Sequence, residues 1–432
     1  MTYTELTPKQ RRIIERDVGT LFAPLAFLRD PTFDELKRLA PFHPSVKYKN
    51  STLFLSGKGV VTLRRLIDSL SDMPELTNTV SIRDINIQVL KSYGAWLEKD
   101  LQPTGKEFIE DAVNSLVDQV KQYEFLVKIE GIDLKDINIL SLGSVRIQRS
   151  DSALFENIKF EGNLYRESIY SQFKDNLWLI GPAKGSPDVA AEQFDYRAVL
   201  TVGILGICGA ILFQGAIWRS RVRAFTSPLE HRKAVSSLRW DVGGENPFIS
   251  RKWGAEQDLV LSAESVAYLN KVCFLQQLSS LPDRQNRSEL EEAITRSIYW
   301  FAEAYRDRNP IMQFVKLWTC AECFFAIDRE QITELNAKGI AAILTFAGFK
   351  VIDTKDYSTF KRRVKLLYSI RSKAIHRAEF RHVERTDLDE LSHWVAWVVI
   401  SMIALAGRGY QTLRQVHEQT QRLDQLSSGP QT

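Results

Sequence analysis

Cysteine is scarce in this chain, with four among 432 residues: Cys208, Cys273, Cys320 and Cys323. So few cannot form a disulfide framework in a chain this long, and a reducing cytoplasm is the expected compartment. Cys320 and Cys323 have C-x-x-C spacing, but no second pair accompanies them. A structural zinc site needs four ligands, so both are expected to pack inside a helix, and no metal or cofactor is expected. Neither Gly-x-Ser-x-Gly nor His-Glu-x-x-His occurs, which removes two common hydrolase signatures. "LSGKGV" and "GPAKGSP" contain glycine and lysine but lack the complete phosphate-loop pattern. The opening "MTYTELTPKQRRIIERD" has no apolar core and no cleavage-like site, so it is not expected to act as a secretory signal. No repeat of fixed period stands out.

What is present is ordinary globular composition, 44% hydrophobic and 25% charged. The length suffices for two or three domains with real cores. One segment stands apart. Ala198–Trp218, "AVLTVGILGICGAILFQGAIW", runs 21 residues without a charge, with Arg197 before it and Arg219, Arg221 and Arg223 after it. Its length matches a bilayer span. Its four glycines, with Thr201 and Gln214, favour a buried helix or strand pair at a domain centre. The alternative is an inner-membrane helix.

Pattern reading gives an α+β chain in three parts. Residues 1–122 read as mostly amphipathic helix, with "TPKQRRIIERDVGTLF", "PTFDELKRLA", "RDINIQVLKSYGAWLEKDL" and "GKEFIEDAVNSLVDQVKQY" as helices and "STLFLSGKGVV" as a short strand and turn. Residues 123–250 alternate apolar and polar residues between glycine and aspartate punctuation, as half-buried strands do, and suggest a β-rich regulatory or sensor unit. Residues 255–432 read as an all-helical bundle. Ser288 and Glu291 form a capping-box pattern, Pro310 suits a first helical turn, Thr386 is the expected cap of the next long helix, and Gly407 its end.

Charge is concentrated in one place. From Lys355 to Arg385 ten residues are basic and three acidic, a balance of +7, while the whole chain carries only +4. A concentrated basic face is the usual footprint of a polyanion site, although a solvated helix face looks the same in sequence. "IRSKAIHRAEF" places Arg371 and His376 five positions apart in this field. Surrounding positive charge favours the neutral imidazole. Neutral imidazole can take the proton of a ribose 2′-hydroxyl, a group only RNA has. Arg371 can hold phosphate oxygens and offset charge that builds in the transition state. No metal is required. Five positions correspond to about 140° around a helix and about 7.5 Å along it, so the two residues flank a groove, and a catalytic pair argues for two such helices about a twofold axis. Arg377 and His382 repeat the spacing.

"LLYSIRSKAIH" resembles the signature of HEPN domains, in particular the Apea-like HEPN group: Tyr-x-x-Arg-Ser, an apolar pair, then His. Upstream, "KLWTCAECFFAI" resembles that group's other helix, with Trp318 and Glu322 in the matching places. The likeness covers roughly residues 260–410. It implies a helical bundle that dimerises, as a homodimer or higher even oligomer. It also implies a metal-independent endoribonuclease of phage defence (abortive infection) or of a toxin-like system, cutting tRNA or phage or host transcripts in response to a phage-derived trigger. Arg371 and His376 map to the catalytic pair and Glu322 to a supporting residue. Arg362, Arg363, Lys373, Arg377 and His382 are the expected RNA contacts. Arg377 departs from the family pattern, in which a small residue is common. Other HEPN domains only bind RNA or protein, so a non-catalytic module is the alternative; a membrane-linked sensor using Ala198–Trp218 is another.

Overall fold

The computed structural model describes residues 6–28, 31–32, 43–49, 51–150, 167, 171, 176–215, 222–225, 236–239, 248–251, 258–307, 309–326, 331–377 and 383–427. Most of "PTFDELKRLA", expected as a helix, lies outside the described residues. A mixed α/β N-terminal region precedes a more helical C-terminal region. Contacts divide the chain into two units, residues 1–125 with 182–194, and residues 126–181 with 195–432.

In the first unit, helices α1 (Pro8–Leu21), α2 (Gly57–Ser71), α3 (Ile82–Glu98) and α4 (Gly105–Val117) accompany the hairpin β1 (Ser45–Tyr48) and β2 (Ser51–Phe54). Thr7 and Thr104 each close a capping box, with Gln10 and Glu107. The expected strand in "STLFLSGKGVV" forms, but the glycines that follow begin a helix instead of a turn. Ser56 caps α2 by accepting from the Gly59 N–H. Ile14, Leu21, Leu66, Leu70, Tyr93 and Phe108 fill the core. The buried Asp17 carboxylate is met by Arg65, at 2.8 and 3.1 Å.

A five-stranded sheet in the order β5-β6-β7-β3-β8 is formed by β3 (Lys121–Glu130), β5 (Ile139–Leu142), β6 (Val145–Arg149), β7 (Leu177–Gly185) and β8 (Arg223–Ala224), with most of its residues in the second unit. Its assigned registers, β5 on β6, β6 on β7 and β3 on β8, are antiparallel. The short strand β4 (Ile132–Leu134) pairs in parallel with β11 (Leu259–Leu261), and β9 (Ser236–Arg239) pairs with β10 (Phe248–Arg251). The stretch 236–251 thus supplies both of these last two strands.

Helices dominate thereafter: α5 (Pro187–Leu212), α6 (Ala263–Cys273), α7 (Leu275–Ser280), α8 (Glu289–Arg306), α9 (Pro310–Phe325), α10 (Ile332–Phe346), α11 (Tyr357–Arg377), α12 (Arg385–Gly407) and α13 (Leu413–Ser427). The Ser288–Glu291 box and Pro310 sit where the pattern puts them. Glu384, not Thr386, caps α12. Its backbone N–H donates to Asp387, three residues on, at 3.0 Å.

The long uncharged run folds as the greater part of α5, which starts earlier, at Pro187. Among the described residues two helices, α5 and α12, are long and apolar enough to cross a membrane; 78% and 67% of their most apolar windows are buried inside the protein. Helix α5 carries glycine because α8 comes close. A Cβ on Gly203 would sit 2.5 Å from the Ile298 carbonyl oxygen, so no other residue fits without separating the helices. The Tyr305 hydroxyl donates to the Gly206 carbonyl at 3.0 Å. Past the helix end, Gly215 has φ of +83°, and any side chain there would overlap the Asp389 carbonyl of α12. Ser392 donates to the Gly215 carbonyl at 2.6 Å, and His393 Nδ1 lies 3.3 Å from the Ala210 carbonyl. Residues 198–211 of the uncharged run are buried inside the protein, and 216–218 lie outside the described residues.

Candidate functional site

Helix α11 folds as an amphipathic helix. Phe360, Val364, Leu367 and Ala374, spaced by four, three and seven residues, are buried, and Ile370 between the last two is half-buried. Tyr368 and Arg371, three residues apart, reach side chains of α9. On α9 the stretch from Leu317 to Phe325 carries a single charge, Glu322, whose carboxylate would be costly to bury alone.

That carboxylate is fully engaged. Arg371 Nη2 lies 2.9 Å from Glu322 Oε1 and 3.0 Å from Oε2. The Tyr368 hydroxyl donates to Oε1 at 2.7 Å. Both charged side chains keep 17% of their surface exposed, so the pair is largely desolvated yet open to solvent on one side. The Arg371 guanidinium carbon lies 5.5 Å from the centroid of the Tyr368 ring, within cation–π range. The Tyr368 ring meets Trp318 edge to face, with centroids 4.9 Å apart, and Trp318 meets Phe314 in the same way. Trp318 is fully buried. Burial, then the hydrogen bond to Glu322 and its charge, push the Tyr368 phenol well above its ordinary pKa, so it is a standing donor. Arg371 Nε is buried with no hydrogen-bond partner among the described residues, and no described bond uses Nη1.

The basic stretch is less free than its composition suggests. Lys361 pairs with Glu334 and Asp424, Lys365 with Glu334, and Lys355 with Asp353. Arg363, expected to contact RNA, bonds Asp387 at 2.6 Å and Glu390 at 2.9 Å and so ties α11 to α12. The acids come from other segments, which a count along residues 355–385 does not include. Arg362 and Lys373 are exposed, on the same stripe of α11 as Leu366, itself 53% exposed. His376 and Arg377 lie in the last turn of α11, with side chains outside the described residues; His382 lies outside them altogether. The structure thus brings Arg371 and Glu322 together, leaves Arg362 and Lys373 facing solvent, and commits Arg363 to an internal bridge.

Tyr368 is the member of this cluster to which sequence reasoning gave no role. Its signal was its position three residues before Arg371, which puts the two on one helix face.

The remaining motifs are structural. Cys320 and Cys323 donate to the carbonyls of Lys316 and Thr319, and burial pushes the Cys323 thiol up to about 11. Trp394 packs edge to face on Phe360, and Trp397 lies against Phe349. Among the described residues no three His, Cys, Asp or Glu side chains converge as a metal site. No family model, curated protein or solved structure matches this chain.

Proposed function

We propose that the C-terminal helical part is an RNA-binding module of HEPN type centred on Arg371. One observation carries this reading: a guanidinium whose Nη2 is anchored to both oxygens of Glu322, on the helix that also exposes Arg362 and Lys373. An arginine held this way presents a fixed donor to a phosphate oxygen, and its orientation is settled before the ligand arrives. Glu322 offsets part of the charge, so affinity rests on geometry and on the exposed cations together.

A second reading has its own support. Helix α11 runs unbroken from Tyr357 to Arg377, so His376 follows Arg371 by five positions on one helix. An imidazole there would take the 2′-hydroxyl proton while Arg371 steadies the phosphate. The products would be a 2′,3′-cyclic phosphate and a 5′-hydroxyl end. On this reading the protein is an endoribonuclease of defence or toxin type, with residues 1–250 restraining or triggering it, and a second copy completes the groove.

One experiment tests both readings. Full-length protein is mixed with end-labelled RNA and chelator at two salt concentrations, beside Arg371→Ala and His376→Ala. The binding reading expects salt-dependent RNA binding that weakens on the order of tenfold in Arg371→Ala, equivalent to about 1.4 kcal/mol. The nuclease reading adds cyclic-phosphate ends that vanish in His376→Ala. Absence of RNA binding at physiological salt overturns both.

A further inference from the structure

We infer that Tyr368 is a positioning residue for Arg371, acting through Glu322; the inference rests on the phosphate-handling role proposed for that arginine. The geometry gives Tyr368 two holds on one guanidinium. Its hydroxyl occupies Glu322 Oε1, the oxygen that also receives Arg371 Nη2. Its ring lies beside the same guanidinium, 5.5 Å from the central carbon. The ring itself is fixed, because Tyr368 is nearly fully buried and stands edge-on to Trp318, which has no exposed surface.

A carboxylate bound only by one arginine nitrogen can turn about its last torsion, which is broad. The Tyr368 hydroxyl takes an oxygen that would otherwise be free to turn. Both Glu322 oxygens then stay on Nη2, and Nη1 keeps one direction. The phenol keeps its proton at ordinary pH and directs it at Glu322 Oε1. Its contribution is the fixed orientation of Arg371, the quantity that phosphate recognition by a planar fork depends on.

The decisive substitution is Tyr368→Phe, which removes one oxygen and keeps the ring against Trp318. Tyr357→Phe is the matched control, since the Tyr357 hydroxyl also donates to a carboxylate on another helix, Asp424. The readout independent of function is the nitrogen-15 side-chain signal of Arg371 in the full-length protein, assigned by its loss in Arg371→Lys. It is expected to be sharp in wild type and in Tyr357→Phe, and broadened or shifted toward the free-arginine position in Tyr368→Phe. RNA affinity is expected to fall several-fold in Tyr368→Phe and to stay unchanged in Tyr357→Phe. In Glu322→Ala the further Tyr368→Phe change should cost nothing more, because the phenol acts through that carboxylate. An Arg371 signal identical in wild type and Tyr368→Phe overturns the inference whether or not RNA binds. Wild type that binds no RNA, with the Arg371 signal still disturbed in Tyr368→Phe, removes the proposed function and leaves the positioning role standing.

Discussion

Glu322 holds Arg371 with both carboxylate oxygens on a single nitrogen, at 2.9 and 3.0 Å, across the interface of two helices whose sequences lie about fifty residues apart. The bond is a structural clamp between α9 and α11. Removing one partner strands the other. Arg371→Ala should destabilise the protein by about 3 kcal/mol, the lower end for broken buried pairs, because each group retains some contact with water. Glu322→Gln should cost less, since an amide can still accept from Tyr368. Urea unfolding of the two singles and the double gives the coupling, expected at about 1–3 kcal/mol. Additive losses would mean that the pair contributes nothing as a pair.

Two glycines of α5 should respond with opposite signs. At Gly203 an added Cβ meets the Ile298 carbonyl at 2.5 Å, so Gly203→Ala forces α5 and α8 apart and should cost about 1–3 kcal/mol. At Gly209 the nearest atom to an added Cβ is the Tyr305 hydroxyl at 3.8 Å, an ordinary contact. Gly209→Ala should then stabilise by up to about 1 kcal/mol, through the better helix propensity of alanine. Urea midpoints measured side by side decide it; equal effects would show that the close approach at Gly203 does not govern stability.

His393 gives the helical core a pH dependence. Burial lowers its pKa below the ordinary 6.5, against a smaller upward pull from its hydrogen bond to the Ala210 carbonyl. The unfolded chain therefore binds a proton at higher pH than the folded one. Stability contributed by the neutral ring is fully present above about 6.5 and is lost as pH falls from there toward the folded value. His393→Gln should flatten the stability profile in that window, read as urea midpoints at pH 5.5 and 7.5. A slope unchanged by the substitution would assign the acid sensitivity elsewhere.

Helices with strong periodicity and caps are legible from the order of residues along the chain. Ser288, Glu291 and Pro310 fix local structure through neighbours within four residues, and the same is true of the apolar stripe of α11. What was not legible depends on partners far along the chain. Arg363 looks like a free cation until Asp387 and Glu390 are brought to it by the packing of α12. The start of α2 looked like a turn, because two glycines in three residues outweigh a good cap until α2 has a surface to pack on. Arg371 and Glu322 could be paired only by a resemblance that named both helices. Tyr368 lay in the same stretch, yet its role appears only when the carboxylate it shares is in place.

The glycine-rich face of α5 has a practical consequence for dissecting this protein. Residues 195–212 lie in sequence far ahead of the bundle, yet they occupy a slot lined by Ile298, Phe301 and Tyr305, and the segment just beyond them reaches Ser392. A recombinant piece beginning near residue 255 would open that slot to water along several turns of apolar side chains. Such a piece should aggregate or capture a stray helix, so the helical half can be studied alone only if the piece also carries the earlier segment.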